Sequence, residues 1–121
     1  MDRDRMEEYY KTFNTGNLEA LETFYTDDVV LEYQDIILNG RDAVLGHFKE
    51  YFNTVREQIT PLQIFINDTD VAVELKDTLT AQIDLPDLMG KPVKAGESVS
   101  VKFAGFYKAR GDRICHVKLY S

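Results

Sequence analysis

The apolar positions of the chain change period along its length. Met6, Tyr9, Tyr10 and Phe13 recur every three or four residues, the spacing of one helix face. The spacing predicts a helix from Asp2 or Asp4 to Thr15, ended by Gly16, a residue free to turn left-handed. Asn17 stands where an N-cap belongs, ahead of Leu18, Leu21 and Phe24/Tyr25, which predicts a second helix over residues 17–26. Asp27 and Asp28 read as a polar turn. Val29, Leu31 and Tyr33 then alternate with Val30, Glu32 and Gln34, the period of a strand, over residues 28–33. After the short apolar run Ile36–Leu38, Asn39-Gly40 signals a turn. A third helix is predicted from about Asp42, with Val44, Phe48, Tyr51/Phe52 and Val55 on one face and Pro61 marking the break after it.

The remainder reads as β. Leu62, Ile64 and Ile66 alternate with Gln63, Phe65 and Asn67, and a turn follows at Asn67–Asp70. Val71, Val73 and Leu75 alternate with Ala72, Glu74, Lys76, Thr78 and Thr80. Residues 84–97 carry Pro86, Gly90, Pro92 and Gly96 and read as a long exposed loop or hairpin end. Val99, Val101 and Phe103 start another strand, in which Gly105 suggests a bulge or bend. Arg110-Gly111-Asp112 turns the chain into a last strand, Ile114–Tyr120. Three helices followed by consecutive strands is an α+β order. The physical solution is a curved antiparallel or mixed sheet with the helices in its concave side, which leaves a cavity at the wide end.

Composition narrows this picture. A length of 121 residues with 44% hydrophobic positions predicts one globular domain over residues 1–121. The net charge of -7 argues against wrapping nucleic acid or an anionic membrane. Cys115 is the one cysteine, so no disulfide closes within the chain. The charged start MDRDRMEEYY lacks the apolar run of a signal peptide, and no segment approaches the roughly 20 apolar residues of a membrane span. A cytoplasmic protein is the expectation. His47, His116 and Cys115 do not form a spaced ligand set, so no metal is expected, and no phosphate-cradling loop or nucleophile elbow is present.

Four stretches, Phe13–Tyr33, Asn39–Phe52, Thr69–Gln82 and Phe103–Tyr120, resemble the SnoaL-like branch of the NTF2-like superfamily, which includes polyketide cyclases, ketosteroid isomerases and limonene epoxide hydrolases. The helix–Gly–helix–Asp-Asp–strand rhythm of the first is the most specific. The resemblance implies a cone-shaped α+β barrel with a deep pocket, in a homodimer; no cofactor is expected. It does not imply one reaction, because this fold hosts many. Position by position, Tyr9 matches the isomerases' hydrogen-bonding tyrosine. Tyr33 stands at the place of their general-base aspartate, and Ala104, two residues before Phe106, at the place of their protonated aspartate. With both acids replaced, steroid isomerisation by that constellation is not expected.

The remaining polar candidates are Tyr9, Tyr33, Asp35, Glu74 and Lys76. A phenol is a donor at neutral pH and polarises a carbonyl; packing of both tyrosines as core rings is the alternative. Asp35, just past the first strand, reaches a pocket mouth if a bulge shifts the register. Glu74, Lys76 and Thr78 share one strand face. Simple alternation sends that face to solvent and Val71, Val73 and Leu75 to the core. The family register implies the reverse, with the valines at a dimer contact. The two registers place the chemistry differently, and both stand at this point. Phe13, Phe48, Phe52, Ala104, Phe106, Val117 and Leu119 complete the expected lining. The expected function is a small-molecule pocket, either an acid–base enzyme of isomerase, cyclase or dehydratase type on a hydrophobic carbonyl compound, or a non-catalytic binding or dimerisation module. A homodimer through the sheet is expected from the apolar rows Val71/Val73/Leu75 and Val99/Val101/Phe103/Tyr107.

Overall fold

A computed structural model describes residues 1–121. Helix α1 runs from Arg3 to Thr15. Asp2 caps its start by accepting from the Arg5 N–H, and Gly16 ends it at φ 73°, where its N–H donates to the Phe13 carbonyl. Helix α2 spans only Leu18–Glu22, capped by Asn17. The chain then enters strand β1, Tyr25–Tyr33, earlier than the apolar pattern indicated. Asp27 and Asp28 lie inside β1, where its register against the last strand shifts, and not in a turn. Ion pairs to Arg41 at 2.8 Å and Arg110 at 3.1 Å hold the two carboxylates there.

Strand β2, Ile36–Asn39, folds back on β1, and helix α3 covers Arg41–Phe52. Strand β3, Val55–Asn67, begins directly after α3, so Val55 belongs to the sheet and not to the helix. Pro61 lies inside β3. It is tolerated because β3 is an edge strand, where a missing N–H breaks no ladder. A bulge beside Pro61 leaves Leu62 unpaired and changes which parity points inward, from Val55, Glu57 and Ile59 to Ile64 and Ile66. Strand β4 is Asp70–Ala81. A small hairpin of β5, Leu85–Leu88, and β6, Lys91–Val93, follows within the predicted loop, and β7, Ser98–Arg110, and β8, Arg113–Tyr120, close the chain.

The main sheet has six strands in the order β2-β1-β8-β7-β4-β3. All neighbours are antiparallel except β1 and β8, so the sheet is mixed. Helix α3 touches both edge strands, β2 and β3, which requires the sheet to curl around the helices. Eighteen buried residues form the main core between helices and sheet. A smaller cluster, Val55, Leu79, Ala81, Leu88 and Val93, seats the β5–β6 hairpin against the end of β3 and β4. No helix is long and apolar enough to cross a membrane.

Gly105 is not a bulge: β7 pairs with β4 without a break from Ser98 to Lys108. The irregularity falls instead in β8, where Cys115 is skipped and both Ile114 and Val117 reach the core. Gly105 is required by close approach. A Cβ there would lie 2.7 Å from Tyr107 Cε2 and 2.9 Å from its hydroxyl, and Tyr107 is buried and cannot step aside. Gly105→Ala is therefore expected to cost about 1–3 kcal/mol as a lowered urea midpoint with unchanged slope. The cost should shrink in a Tyr107→Leu background, because the two positions share one contact.

Candidate active site

The inner face of β4 carries Val71, Val73, Leu75, Asp77, Leu79 and Ala81, all buried. Glu74 and Lys76 are exposed and Thr78 is half-buried on the opposite face, where the Thr78 hydroxyl lies 3.1 Å from that of Ser100. The solvent register therefore holds. The implied cavity register for Glu74, Lys76 and Thr78 is corrected, since charged side chains take the wet face when an apolar row is available for the dry one. By the same parity Val71, Val73, Leu75 and Tyr107 are core residues and not a contact surface.

Between α1, α3 and the curled sheet lies a cavity of about 250 Å³. Of its 19 lining residues 16 are hydrophobic, and the others are His47, Glu57 and Asp77. Phe13, Phe48, Val117 and Leu119 line it as expected, with Tyr9 and Tyr33. Phe52 packs behind them, stacked on Phe48 at 5.9 Å, without reaching the cavity. Asp35 is exposed in the β1–β2 turn between Tyr33 and Ile36, which line the cavity while Asp35 does not. Ala104 and Phe106 have outward parity, and Phe106 is 50% exposed against Tyr120. Another cleft, of about 380 Å³ and more open, lies on that outer face between Phe65, Phe106, His116 and Lys118. His116 is 2.6 Å from Glu32 there, away from the inner cavity.

The tyrosines of the cavity are largely spent on one another. Tyr9 Oη lies 2.6 Å from Tyr25 Oη, both buried. The ligand-orienting role implied for Tyr9 is thus limited by a hydroxyl already engaged. Tyr10 donates to Tyr107 at 2.9 Å. Burial pushes the Tyr107 phenol up to about 12, so it keeps its proton at neutral pH. That proton has no protein acceptor, which leaves Tyr107 as a donor in the cavity wall.

Glu57 and Asp77 were not singled out by the sequence pattern. Yet each sits at an inward position of its strand: Glu57 two residues after Val55, and Asp77 two after Leu75. Ile59 pairs with Asp77 and Glu57 with Leu79, so the two carboxyls are diagonal neighbours on one face. Asp77 is 5% exposed, and its Oδ1 is enclosed with no N–H or O–H donor. Burial, then the hydrogen bond to Asp77 and its charge, hold the Glu57 carboxyl far above the ordinary range. Burial also raises Asp77, opposed by the hydrogen bond from Glu57. Two carboxylates cannot both ionise in this dry place, so the pair keeps one proton at neutral pH.

Because the folded pair holds a proton that the unfolded chain releases, its contribution to stability is full below the ordinary glutamate value of 4.5 and declines as pH rises. The slope is at most about 1.4 kcal/mol per pH unit for one proton. Glu57→Gln removes the titration and keeps a donor. Urea melts of both proteins between pH 5 and about 8 should therefore show the wild type losing stability relative to Glu57→Gln as pH rises. Parallel curves would show that the pair does not hold a proton.

The family model of the SnoaL-like domain matches residues 6–117. No curated protein matches the sequence. Among solved structures, a candidate polyketide cyclase from Xanthomonas campestris pv. campestris aligns over 98% of this chain and 87% of its own, at 24% identity and TM-score 0.83. A Catenulispora acidiphila protein with a ketosteroid isomerase-like fold, solved in complex with trimethylamine, aligns over 100% of this chain and 87% of its own at 15% identity and TM-score 0.80. An LEH-like epoxide hydrolase of M. tuberculosis aligns over 97% of this chain and 79% of its own at 14% identity and TM-score 0.78. At such identities the likeness is one of fold, the NTF2-like α+β fold. By its match over residues 6–117, the chain belongs to the SnoaL-like domain family.

Proposed function

We propose that this chain is a cofactor-independent small-molecule enzyme whose acid–base element is the Glu57–Asp77 pair. The observation that carries the reading is a pair of carboxyls, Glu57 and Asp77, at diagonal positions in the wall of a cavity that is otherwise almost wholly apolar. Paired groups whose surroundings favour opposite protonation states supply a base and an acid together. Asp77 is the ionised member at rest and takes a proton from the substrate; Glu57 returns one at a second position, and the proton left on Asp77 then passes to Glu57, which restores the resting pair. Tyr107 offers its free proton to a substrate oxygen, held in place by Tyr10. This is chemistry of the isomerase, cyclase or dehydratase kind on a compact carbonyl compound. A cavity of about 250 Å³ lies below the usual range of roughly 300–1,000 Å³ for drug-sized ligands, which favours a substrate of one or two rings.

The test is a screen of small ring ketones and enols for proton exchange or isomerisation, followed with Asp77→Asn and Glu57→Gln. Each variant is expected to lose about 10²–10⁴ in kcat with its fold retained. Variants that keep full turnover would remove the pair from the mechanism. Ligand binding without any turnover in the wild type would favour the carrier reading.

We further propose a homodimer through the outer sheet face. Phe65 at 62%, Phe106 at 50% and Tyr120 at 55% exposure form an apolar group there, which supports a covered surface. Sedimentation at micromolar concentration should give a dimer, converted to monomer by Phe106→Asp.

A further inference from the structure

The two acids of the cavity have no cation. Neither Glu57 nor Asp77 takes part in an ion pair, and no lysine or arginine lines the cavity. Buried carboxyls are almost always matched by a positive group or a full set of donors. Asp77 has neither, since its enclosed Oδ1 meets no N–H or O–H donor. Aromatic rings, whose faces carry negative potential, line the same cavity. Tyr51 and Phe48 come from α3, Tyr33 from β1 and Phe103 from β7, with Tyr33 and Phe103 5.6 Å apart. Acids and ring faces together make a negative, water-poor space that lacks its counter-charge.

We propose that this cavity binds a small protonated amine, its N–H donating to Asp77 and its carbon substituents lying against the aromatic wall. A carbonyl oxygen cannot fill the role at Asp77, because it accepts and does not donate. An alcohol supplies a donor without charge. A carboxylate or phosphate ligand meets two acids and no cation. An ammonium supplies donor and charge together, and the ring faces add a cation–π attraction.

The proton balance follows. At rest the pair holds one proton and one negative charge. The ammonium enters, the shared proton leaves to solvent, and two carboxylates face one cation, so the net charge of the site is unchanged. Asp77 is then engaged by the ligand, so the acid–base pair is occupied while the amine is bound. The other titratable groups facing the pair are Tyr9 and Tyr10 on α1, His47 and Tyr51 on α3, Tyr33 on β1 and Tyr107 on β7. Burial keeps the Tyr9, Tyr10, Tyr51 and Tyr107 phenols protonated, and His47 is exposed at the rim. The inference rests on the reading of the cavity as a ligand site and concerns an amine that occupies Asp77 in place of the carbonyl substrate.

The test uses three probes of one shape, cyclohexylamine, cyclohexanol and cyclohexanecarboxylate, titrated calorimetrically into the full chain near pH 7 in two buffers of different ionisation enthalpy. The amine is expected to bind at least about tenfold more tightly than the alcohol, as a charge-assisted hydrogen bond would give, with the carboxylate weakest. The two buffers should report release of close to one proton per amine. Glu57→Gln, which leaves Asp77 ionised, should bind the amine without that release, and Asp77→Asn should lose about tenfold in amine affinity while keeping the alcohol. Equal affinity for amine and alcohol, or amine binding that Asp77→Asn leaves unchanged, overturns the proposal while leaving the acid–base reading to its own turnover test. Failure of all three probes to bind overturns it as well.

Discussion

The side-chain amide of Asn14 acts as a missing strand. It donates to the Ile59 carbonyl at 2.8 Å and accepts from the Ile59 N–H at 2.7 Å, and Gln58 returns a bond to the Asn14 carbonyl at 3.0 Å. Strand β3 is the edge of the sheet, and without these bonds its inner half would present unpaired backbone next to an apolar space. The clasp ties the C-terminal end of α1 to the one segment of β3 that carries Glu57. It also keeps α1 and β3 at a fixed spacing, so the helices fill the sheet partly and a cavity survives between them. Arg3 makes a matching contact from the other end of the helix, donating to the Ile64 carbonyl at 2.8 Å beyond the bulge.

Within that frame the polar groups divide into two kinds. The buried tyrosines pair with one another, Tyr9 with Tyr25 and Tyr10 with Tyr107, and each pair has one hydroxyl proton left over. The carboxyl pair is the opposite case. It has no cation and only its own proton to share, an arrangement that lowers stability as pH rises and is retained in a fold that had leucine and valine available at neighbouring positions. Groups held at such a cost mark a site, because an unsatisfied buried acceptor is a place where a ligand gains most.

Parity along the strands decides which side chains have that opportunity. On β4 the even positions carry Glu74, Lys76 and Thr78 to the outer face, and the odd positions carry Asp77 inward among aliphatic neighbours. On β3 a single bulge at Pro61 reverses the parity, so that Glu57 and Ile64 can both face the core although one number is odd and the other even. The loop that the sequence marks by its prolines and glycines folds into the β5–β6 hairpin. Its Met89, held at φ 52°, reaches the cavity rim opposite Ile36.

The sequence by itself determined the α+β order, the helix stop at Gly16 and the cap at Asn17, the three helices and the alternation of the later strands, because periodicity and capping are local properties of neighbouring residues. It also carried the signal for Asp77, which breaks an otherwise aliphatic row from Val71 to Ala81 and is legible when alternation is followed past Leu75. Glu57 was hidden because Val55 fits the helical spacing of α3 as well as the first position of β3, and short apolar patterns do not separate the two. Only the tertiary structure decided the rest. Pairing between strands fixed the register that sends Glu74 and Lys76 outward, packing space set Gly105 beside Tyr107, and the curl of the sheet brought Glu57 and Asp77 together. Each of these depends on which distant backbone lies alongside, and a one-residue shift in that pairing would reverse every side chain on the strand.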